Sequence, residues 1–344
     1  MGITLKQIAD LAGVHKSTVD KVIHNRPGVS DAKRQQIRAL LDEYGYESNP
    51  LAKALNYQKK KMKIAVVLPV VDAMAELKRG MEIVRQDFNS FNVDIVYHEM
   101  PFSDAAGQAE CLRSLCREGV SGIVLLPIED TCVAQALDEL AAANIPVVTV
   151  NSDLDDAPHL CYVGQNMEQS GQIAARLFSL FLPDGGELAI VSSRNMRSIK
   201  QRERSFVRYL PTCSRNISVA ETVDIRETPE DAYQKTLALL EQHPSMDALF
   251  ITCGNVSDIC RAVRDKGLAG KLVIVCYEKY PSISHLVQSG EIACTLSGDL
   301  FEQGRLAMRL LFEHLIYERD PEHKIFYTRN EILLRENIDS KTSE

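Results

Sequence analysis

Asp72, Asn151, Asp153, Arg202, Asn255, Glu278 and Asp299 stand at the ends of successive apolar runs in a chain of 344 residues. Carboxylates accept from hydroxyls, an arginine donates in a fixed fork, and a carboxamide does both. Such a set suits a ligand rich in hydroxyl groups. One polar residue at a strand end is ordinarily just solvated, so the recurrence at run after run is what points to a binding site. No catalytic constellation accompanies them: the chain lacks G-x-S-x-G, G-x-x-x-x-G-K-[ST], H-E-x-x-H and a G-x-G-x-x-G after a strand. Asp184-Gly185-Gly186 reads as a turn into a strand rather than a phosphate cradle. The eight histidines are scattered without paired metal spacing. These residues predict binding rather than catalysis, with neither metal nor cofactor.

A second set lies near the N-terminus. Lys16, Ser17, Thr18 and Lys21 fall on one side of a short helical stretch whose other side carries Val19, Val22 and Ile23. A lysine can donate to guanine O6 and N7, and a serine can pair with several bases. Thr18, Lys6, His24 and backbone amides suit phosphate contacts that set register. Residues 1–63 hold 12 Lys and Arg against 6 Asp and Glu, whereas the remainder holds 27 against 41. An acidic chain, net −8 overall, that concentrates positive charge in one segment calls for an anionic partner there. Solvation alone would account for Lys59-Lys60-Lys61, but less well for a basic segment that also folds.

The elements that must carry these residues can be read from periodicity. Thr4-Leu5-Lys6-Gln7 is a capping box that opens a helix with Leu5, Ile8, Leu11 and Ala12 at helical spacing. Gly13 ends it. A second helix runs from about His15 to His24. Ser30 caps a third, with Ile37, Leu40, Leu41 and Tyr44 inward and Gly45 as its stop. Three short helices with a tight glycine turn between the first two make a helix-turn-helix, whose second helix enters a major groove; a three-helix bundle for protein contacts is the alternative. Asn49-Pro50 starts a further helix of little more than two turns. That length is marginal alone in water and needs a partner, or else is a linker with a buried leucine.

From Lys63 the pattern changes to apolar runs alternating with helices: KIAVVLP, VDIVYHEM, GIVLLP and IPVVTVNSD, then ELAIVSS, ISVAETVDI, ALFITC and KLVIVCYE. Such runs predict parallel sheets covered on both faces and duplicated in two lobes, with a ligand cleft at the carboxyl ends of the strands. The expected organisation is a helix-turn-helix domain over 1–47, a hinge over 48–62 and a two-lobed α/β domain over 63–344. Within the last, one lobe takes about 63–163 and 299–322, and the other about 164–298 and 323–340. Nine cysteines without a C-x-x-C pair read as reduced core residues. No apolar run reaches the roughly 18 residues of a membrane span and no signal peptide is evident, so a soluble cytoplasmic protein is expected.

ITLKQIADLAGVHKSTVDKVIHNRPGVS, followed by GYESNPLAKAL, resembles the DNA-binding head of LacI/GalR-family transcription regulators over roughly residues 3–60. The shared frame is T-x-x-x-I-A-x-x-A-G-V, then S-T-V-x-x-V-I, then G-V-S. Residues 63–340 resemble the type I periplasmic-binding-protein fold that this family carries as its effector domain. The resemblance implies a homodimer on double-stranded, pseudo-palindromic operator DNA. It also implies a hinge helix in which Asn49, Ala52 and Leu55 meet the DNA, Leu55 as a minor-groove wedge. The implied effector is a sugar or polyol, with a non-sugar metabolite as the alternative, and the implied output is repression. A solute-binding protein of the same fold acting without DNA is the other function this fold supports. The chain departs from the family pattern at His15, where serine is usual as the N-cap of the second helix, and at Asp20 and His24, where serine and asparagine are usual. It has Val70-Val71-Asp72-Ala73-Met74 where relatives supply an aromatic platform, and it has no Trp.

Overall fold

The computed structural model describes residues 3–23, 28–44, 62–154, 156–194, 196–226 and 228–338. They cluster into two compact units: the first holds the N-terminal residues with Ser90–Asn92 and Phe312–Asp320, and the second holds the rest.

In the N-terminal unit, helix α1 (Leu5–Ala12) opens with the capping box. The Gln7 amide donates to Thr4 Oγ1 at 3.3 Å, and Gln7 Oε1 accepts from the Thr4 amide at 2.8 Å. Gly13 closes it at φ 63°, its amide bonding the Ala9 and Asp10 carbonyls. Only glycine adopts that conformation without a Cβ penalty. Helix α2 (Lys16–Ile23) and helix α3 (Asp31–Glu43) follow it. Ile8, Ala9, Ala12, Val19, Val22 and Ile37 form its core. Two expected core residues lie elsewhere: Leu11 is 50% exposed and Tyr44 is 47% exposed. At about 100° per residue, the buried arc of α1 runs from Ile8 through Ala12 to Ala9, and Leu11 falls outside it. Tyr44 follows the last turn of α3 as its cap rather than continuing the inner face. Ser30 precedes α3 in extended conformation but makes no side-chain cap bond. His24, Gly45 and the expected hinge helix with Asn49, Ala52 and Leu55 lie outside the described residues.

The second unit alternates strands and helices throughout. Its first half runs β1 (Met62–Pro69), α4 (Met74–Asp87), β2 (Val93–Met100), α5 (Ala105–Glu118), β3 (Gly122–Leu125), α6 (Thr131–Ala142), β4 (Val147–Val150) and β5 (Cys161–Gln165). The second half begins with α7 (Met167–Phe181), β6 (Gly186–Ser192), α8 (Arg197–Cys213), β7 (Ile217–Asp224), α9 (Pro229–Gln242) and β8 (Ala248–Ile251). It continues through α10 (Val256–Asp265), β9 (Val273–Tyr277), α11 (Pro281–Gln288), β10 (Cys294–Ser297) and α12 (Leu300–Tyr317) to β11 (Ile325–Thr328) and β12 (Glu331–Leu333). Two six-stranded sheets result, ordered β11-β5-β4-β3-β1-β2 and β12-β10-β9-β8-β6-β7. The central strands β3, β4, β8 and β10 are buried along their whole length, which explains their unbroken apolar character.

The last strands correct the expected lobe boundary. Ile325–Thr328 pair in parallel with Tyr162–Gln165 of the first sheet, and only Glu331–Leu333 join the second, antiparallel to β10. The short turn between β11 and β12 takes the chain from one sheet to the other, so the second sheet is mixed at its edge rather than wholly parallel. Three segments therefore cross between lobes, after β5, after β10 and after β11. Thr328 Oγ1 ties them together by bonding the carbonyls of Gly164 and Gly298, and Gln303 Nε2 donates to Gly298 O at 2.8 Å.

Phe178, Phe206 and Phe250 pack ring on ring at 4.4–5.7 Å in the second lobe. Five of the nine cysteines are buried, and burial pushes the thiols of Cys161, Cys260 and Cys294 up to about 12. Among the described residues no helix is long and apolar enough to cross a membrane.

Candidate functional site

Between the two sheets lies a cavity of about 420 Å³. The first lobe contributes Asp72 from the loop after β1, Phe102 from the loop after β2, and Asn151 at the end of β4. The second contributes Ser198 and Arg202 from α8, Asn255 after β8, and Tyr277, Glu278 and Tyr280 at the end of β9. Val70 and Val71, both exposed, also line it.

Arg202 is held in place by backbone geometry as much as by side chains. Helices α7 and α8 approach so closely that a Cβ on Gly171 would sit 2.3 Å from the Arg202 carbonyl oxygen. Residue spacing of four then aligns Ser198, Arg202 and Phe206 on the buried face of α8. The guanidinium stacks 3.9 Å over the Tyr277 ring, and Tyr277 is fixed in turn by a 3.2 Å bond between its hydroxyl and Ser170 Oγ. Arg202 is only 4% exposed. One of its terminal nitrogens lies 3.4 Å from the Met167 sulfur, a weak acceptor, and its Nε has no hydrogen-bond partner. Ser198 Oγ and Glu278 Oε2, both sealed from solvent, lack partners as well. Buried polar groups are ordinarily satisfied, because an unmade bond costs roughly 1–3 kcal/mol. The three orphaned groups all belong to residues that line one cavity.

Glu278 carries a further signature. Burial pushes its carboxyl up to about 6, against the opposing pull of the Arg202 guanidinium. Its backbone sits at φ 74°, and Asn151 and Asn255 sit at φ 63° and 57°. Left-handed backbone is tolerable for asparagine and strained for glutamate. Glu278 is held there by its amide on Leu296 O at 2.7 Å and by Thr295 Oγ1 on its own carbonyl at 2.7 Å. Asn255 precedes α10 as N-cap yet makes no side-chain cap bond, and it lines the cavity. Asn151 Nδ2 bonds Gln303 Oε1 at 3.4 Å, tying it to α12.

Of the seven residues singled out in the sequence, Asp72, Asn151, Arg202, Asn255 and Glu278 line this cavity, whereas Asp153 and Asp299 do not. Asp153 accepts from Thr149 Oγ1 at 2.9 Å and faces a second, adjacent cavity. Asp299 caps α12, its Oδ1 accepting the Glu302 amide at 3.0 Å. The aromatic lining comes from unexpected places. Phe102, Tyr277 and Tyr280 supply rings, although the loop after β1 carries none. Tyr277 and Phe102 hide in the sequence as strand and post-strand apolar residues, so a search for polar strand ends passes over them.

On the N-terminal unit, Lys6, His15, Lys16, Ser17 and Lys21 are exposed, and Thr18 is half-buried. His15 takes over the work of the serine usual before this helix. Its Nδ1 accepts the Ser17 amide at 3.3 Å and lies 2.9 Å from Ser17 Oγ. An imidazole thereby satisfies one of the open amides at the start of α2. Val19 and Val22 pack the opposite face into the core, and Lys16 and Lys21 of α2 remain exposed.

Residues 64–319 match the family model described as periplasmic binding protein domain, and residues 4–49 match that for bacterial regulatory proteins of the lacI family. The chain is 32% identical to the HTH-type transcriptional regulator TreR of Escherichia coli over 123 residues, which is 36% of this chain and 38% of TreR. It thus spans less than half the length of the first curated relatives it matches. It is 21% identical to catabolite control protein A of Priestia megaterium across 92% of this chain and 93% of the relative. Among solved structures, a solute-binding protein of an ABC transporter from Burkholderia graminis, in complex with D-arabinose, shares the fold. Its TM-score is 0.76 at 20% identity, covering 82% of this chain and 98% of that one.

Proposed function

From its membership of the periplasmic-binding-protein family through residues 64–319, joined to a LacI-family regulatory head at residues 4–49, we propose that this chain is a transcription repressor. It binds a pseudo-palindromic operator as a homodimer and senses a sugar or polyol in the cavity between its lobes. The observation that carries the effector half is the convergence of Arg202 Nε, Ser198 Oγ and Glu278 Oε2, all buried and without partners, on one cavity. A polyhydroxy ligand offers acceptors to the arginine and serine and donors to the carboxylate at the same time. Phe102 and Tyr280 supply ring faces for its apolar side. The name of the solute-binding relative, in complex with D-arabinose, agrees with that chemistry.

In the head, Lys16, Ser17 and Lys21 read base edges, while Lys6, His15, Thr18 and His24 position the phosphates. Asn49, Ala52 and Leu55 are proposed to contact the operator, Leu55 as a minor-groove wedge. A ligand gripped by both lobes favours one interlobe angle over another, and it acts on the operator only through that difference in affinity. The test is a thermal-shift screen of the full chain against sugars and polyols, followed by operator binding with each stabilising compound. A compound that raises the unfolding midpoint and changes operator affinity supports the proposal. A screen in which no sugar or polyol raises the midpoint refutes the effector assignment.

A further inference from the structure

A second cavity of about 380 Å³ opens beside the three crossing segments, separate in most of its lining from the cleft. Its walls come from both lobes. Ser152, Asp153, Tyr162 and Tyr327 belong to the first sheet and the loop after β4, and Arg197, Gln201, Arg204 and Arg208 belong to α8. Its lining includes Gln165, the last residue of β5 before the first crossing and only 1% exposed. Both the Nε2 and the Oε1 of Gln165 are buried without a hydrogen-bond partner. A carboxamide sealed in this way leaves both N–H donors and its acceptor oxygen unmet, which native structures rarely tolerate unless something else fills the place.

The electrostatics around that amide favour a negative ligand. Three arginines line the cavity against two acids, a balance of one positive charge. Glu168 pairs with Arg208, and Asp153 accepts from Thr149 and faces His159. Two long helices also begin here: Met167 and Glu168 open α7, and Arg197 and Ser198 open α8. The α8 start has no side-chain cap, and the Ser198 amide reaches Ser152 Oγ only at 3.4 Å. Helix N-termini carry partial positive charge and outward N–H groups, so two of them on one cavity reinforce the arginines.

We infer that this cavity is a second ligand site, which takes a small organic anion bearing a phosphate or carboxylate. The anionic group lies against Arg204, Arg197 and the two helix starts. A hydroxyl on the same molecule occupies a donor and the acceptor of Gln165. Because the walls belong to different lobes, occupancy stabilises one interlobe angle and so modulates whatever the cleft binds.

The full chain is tested by following its unfolding midpoint in rising inorganic phosphate, and in parallel in rising citrate, at constant ionic strength. Either anion should raise the midpoint in proportion to the logarithm of its concentration. Arg204→Gln, on an exposed helix face where folding is not at risk, should weaken that response about tenfold in concentration. Gln165→Leu should weaken it too, while Glu278→Gln in the cleft should leave it unchanged. A response to phosphate alone assigns a phosphorylated ligand, and one to citrate alone assigns a carboxylate. The inference is overturned if neither anion stabilises the chain, if Arg204→Gln responds like the parent protein, or if the response disappears in the cleft variant.

Discussion

Glu278→Gln is the most informative single change. The parent carboxyl is pushed up to about 6 from an ordinary 4.5, with burial as the main cause and Arg202 opposing it. A raised carboxyl pKa means the ionised form is disfavoured by folding. The cost is fully present above about pH 6 and disappears below the unfolded value of 4.5. At about 1.4 kcal/mol per pKa unit, the ionised side chain costs the folded state about 2 kcal/mol at pH 7.5. Glutamine has the shape of the protonated acid and carries no such cost. The pull of Arg202 is already contained in the shifted value, so no separate correction for the lost ion pair applies. Glu278→Gln should therefore be more stable than the parent at pH 7.5 by about 2 kcal/mol, roughly 3 °C in midpoint for a unit of this size. The gap should close as the pH falls to 4.5. Scanning calorimetry of both proteins from pH 4.5 to 8 measures it. A variant that is less stable at pH 7.5, or a gap that does not vary with pH, would show that the carboxyl is not raised and that the orphaned oxygen has a partner.

The same group gives the ligand a pH dependence. A hydroxyl donated to Glu278 Oε2 favours the charged form. If the ligand returns the carboxyl to its ordinary range, binding releases a proton and affinity falls about eightfold between pH 7 and pH 5. In Glu278→Gln that dependence should vanish. Calorimetric titration in two buffers of different ionisation enthalpy counts the proton directly.

Other expected outcomes concern both functional regions. Lys16→Ala and Lys21→Ala should each weaken operator binding by about 1–3 kcal/mol and relax sequence preference, as measured by gel shift on operator variants; unchanged binding would remove both from the base-reading set. Arg202→Ala should abolish the response to the effector while leaving operator affinity of the ligand-free protein intact, and retained ligand binding would place the effector elsewhere. Gly171→Ala should cost about 1–3 kcal/mol or more by forcing α7 from α8, and it should lower ligand affinity because Arg202 moves with α8; an unchanged midpoint would show that the helices yield without strain. His15→Ala should destabilise the N-terminal unit by about 1 kcal/mol, with serine at the same place restoring it. Chemical denaturation followed by far-ultraviolet dichroism reads that difference.

Much of this architecture was legible because its signals are local. Apolar runs of four to eight residues that recur between helical stretches read as buried parallel strands, and Thr4 with Gln7 or Gly13 marks helix ends by short-range bonding alone. What was not legible depends on partners distant in sequence. Asp153 and Asp299 occupy strand ends as Asn151 and Glu278 do, and Asp299 even shares their left-handed backbone. The difference is whether a neighbour consumes the side chain. Asp299 had a readable warning, since Asp followed three residues later by Glu302 is a capping pattern, and its carboxylate bonds the Glu302 amide. Asp153 had none, because nothing in sequence announces that Thr149 will donate to it. The handover of β11 to the first sheet was equally hidden: IFYT has the same apolar character whichever sheet it joins, and only its register against β5 decides. The aromatic lining escaped for the opposite reason. Tyr277 looks like one more buried strand residue, and its ring matters because Arg202, 75 positions earlier, lies across it. A strand-end residue thus becomes a candidate for binding only when its polar atoms remain unspent after the fold has taken its share. By that criterion Glu278, with Arg202 and Ser198 of α8, carries the proposed effector site, and Gln165, which no sequence pattern distinguished, carries the inferred second one.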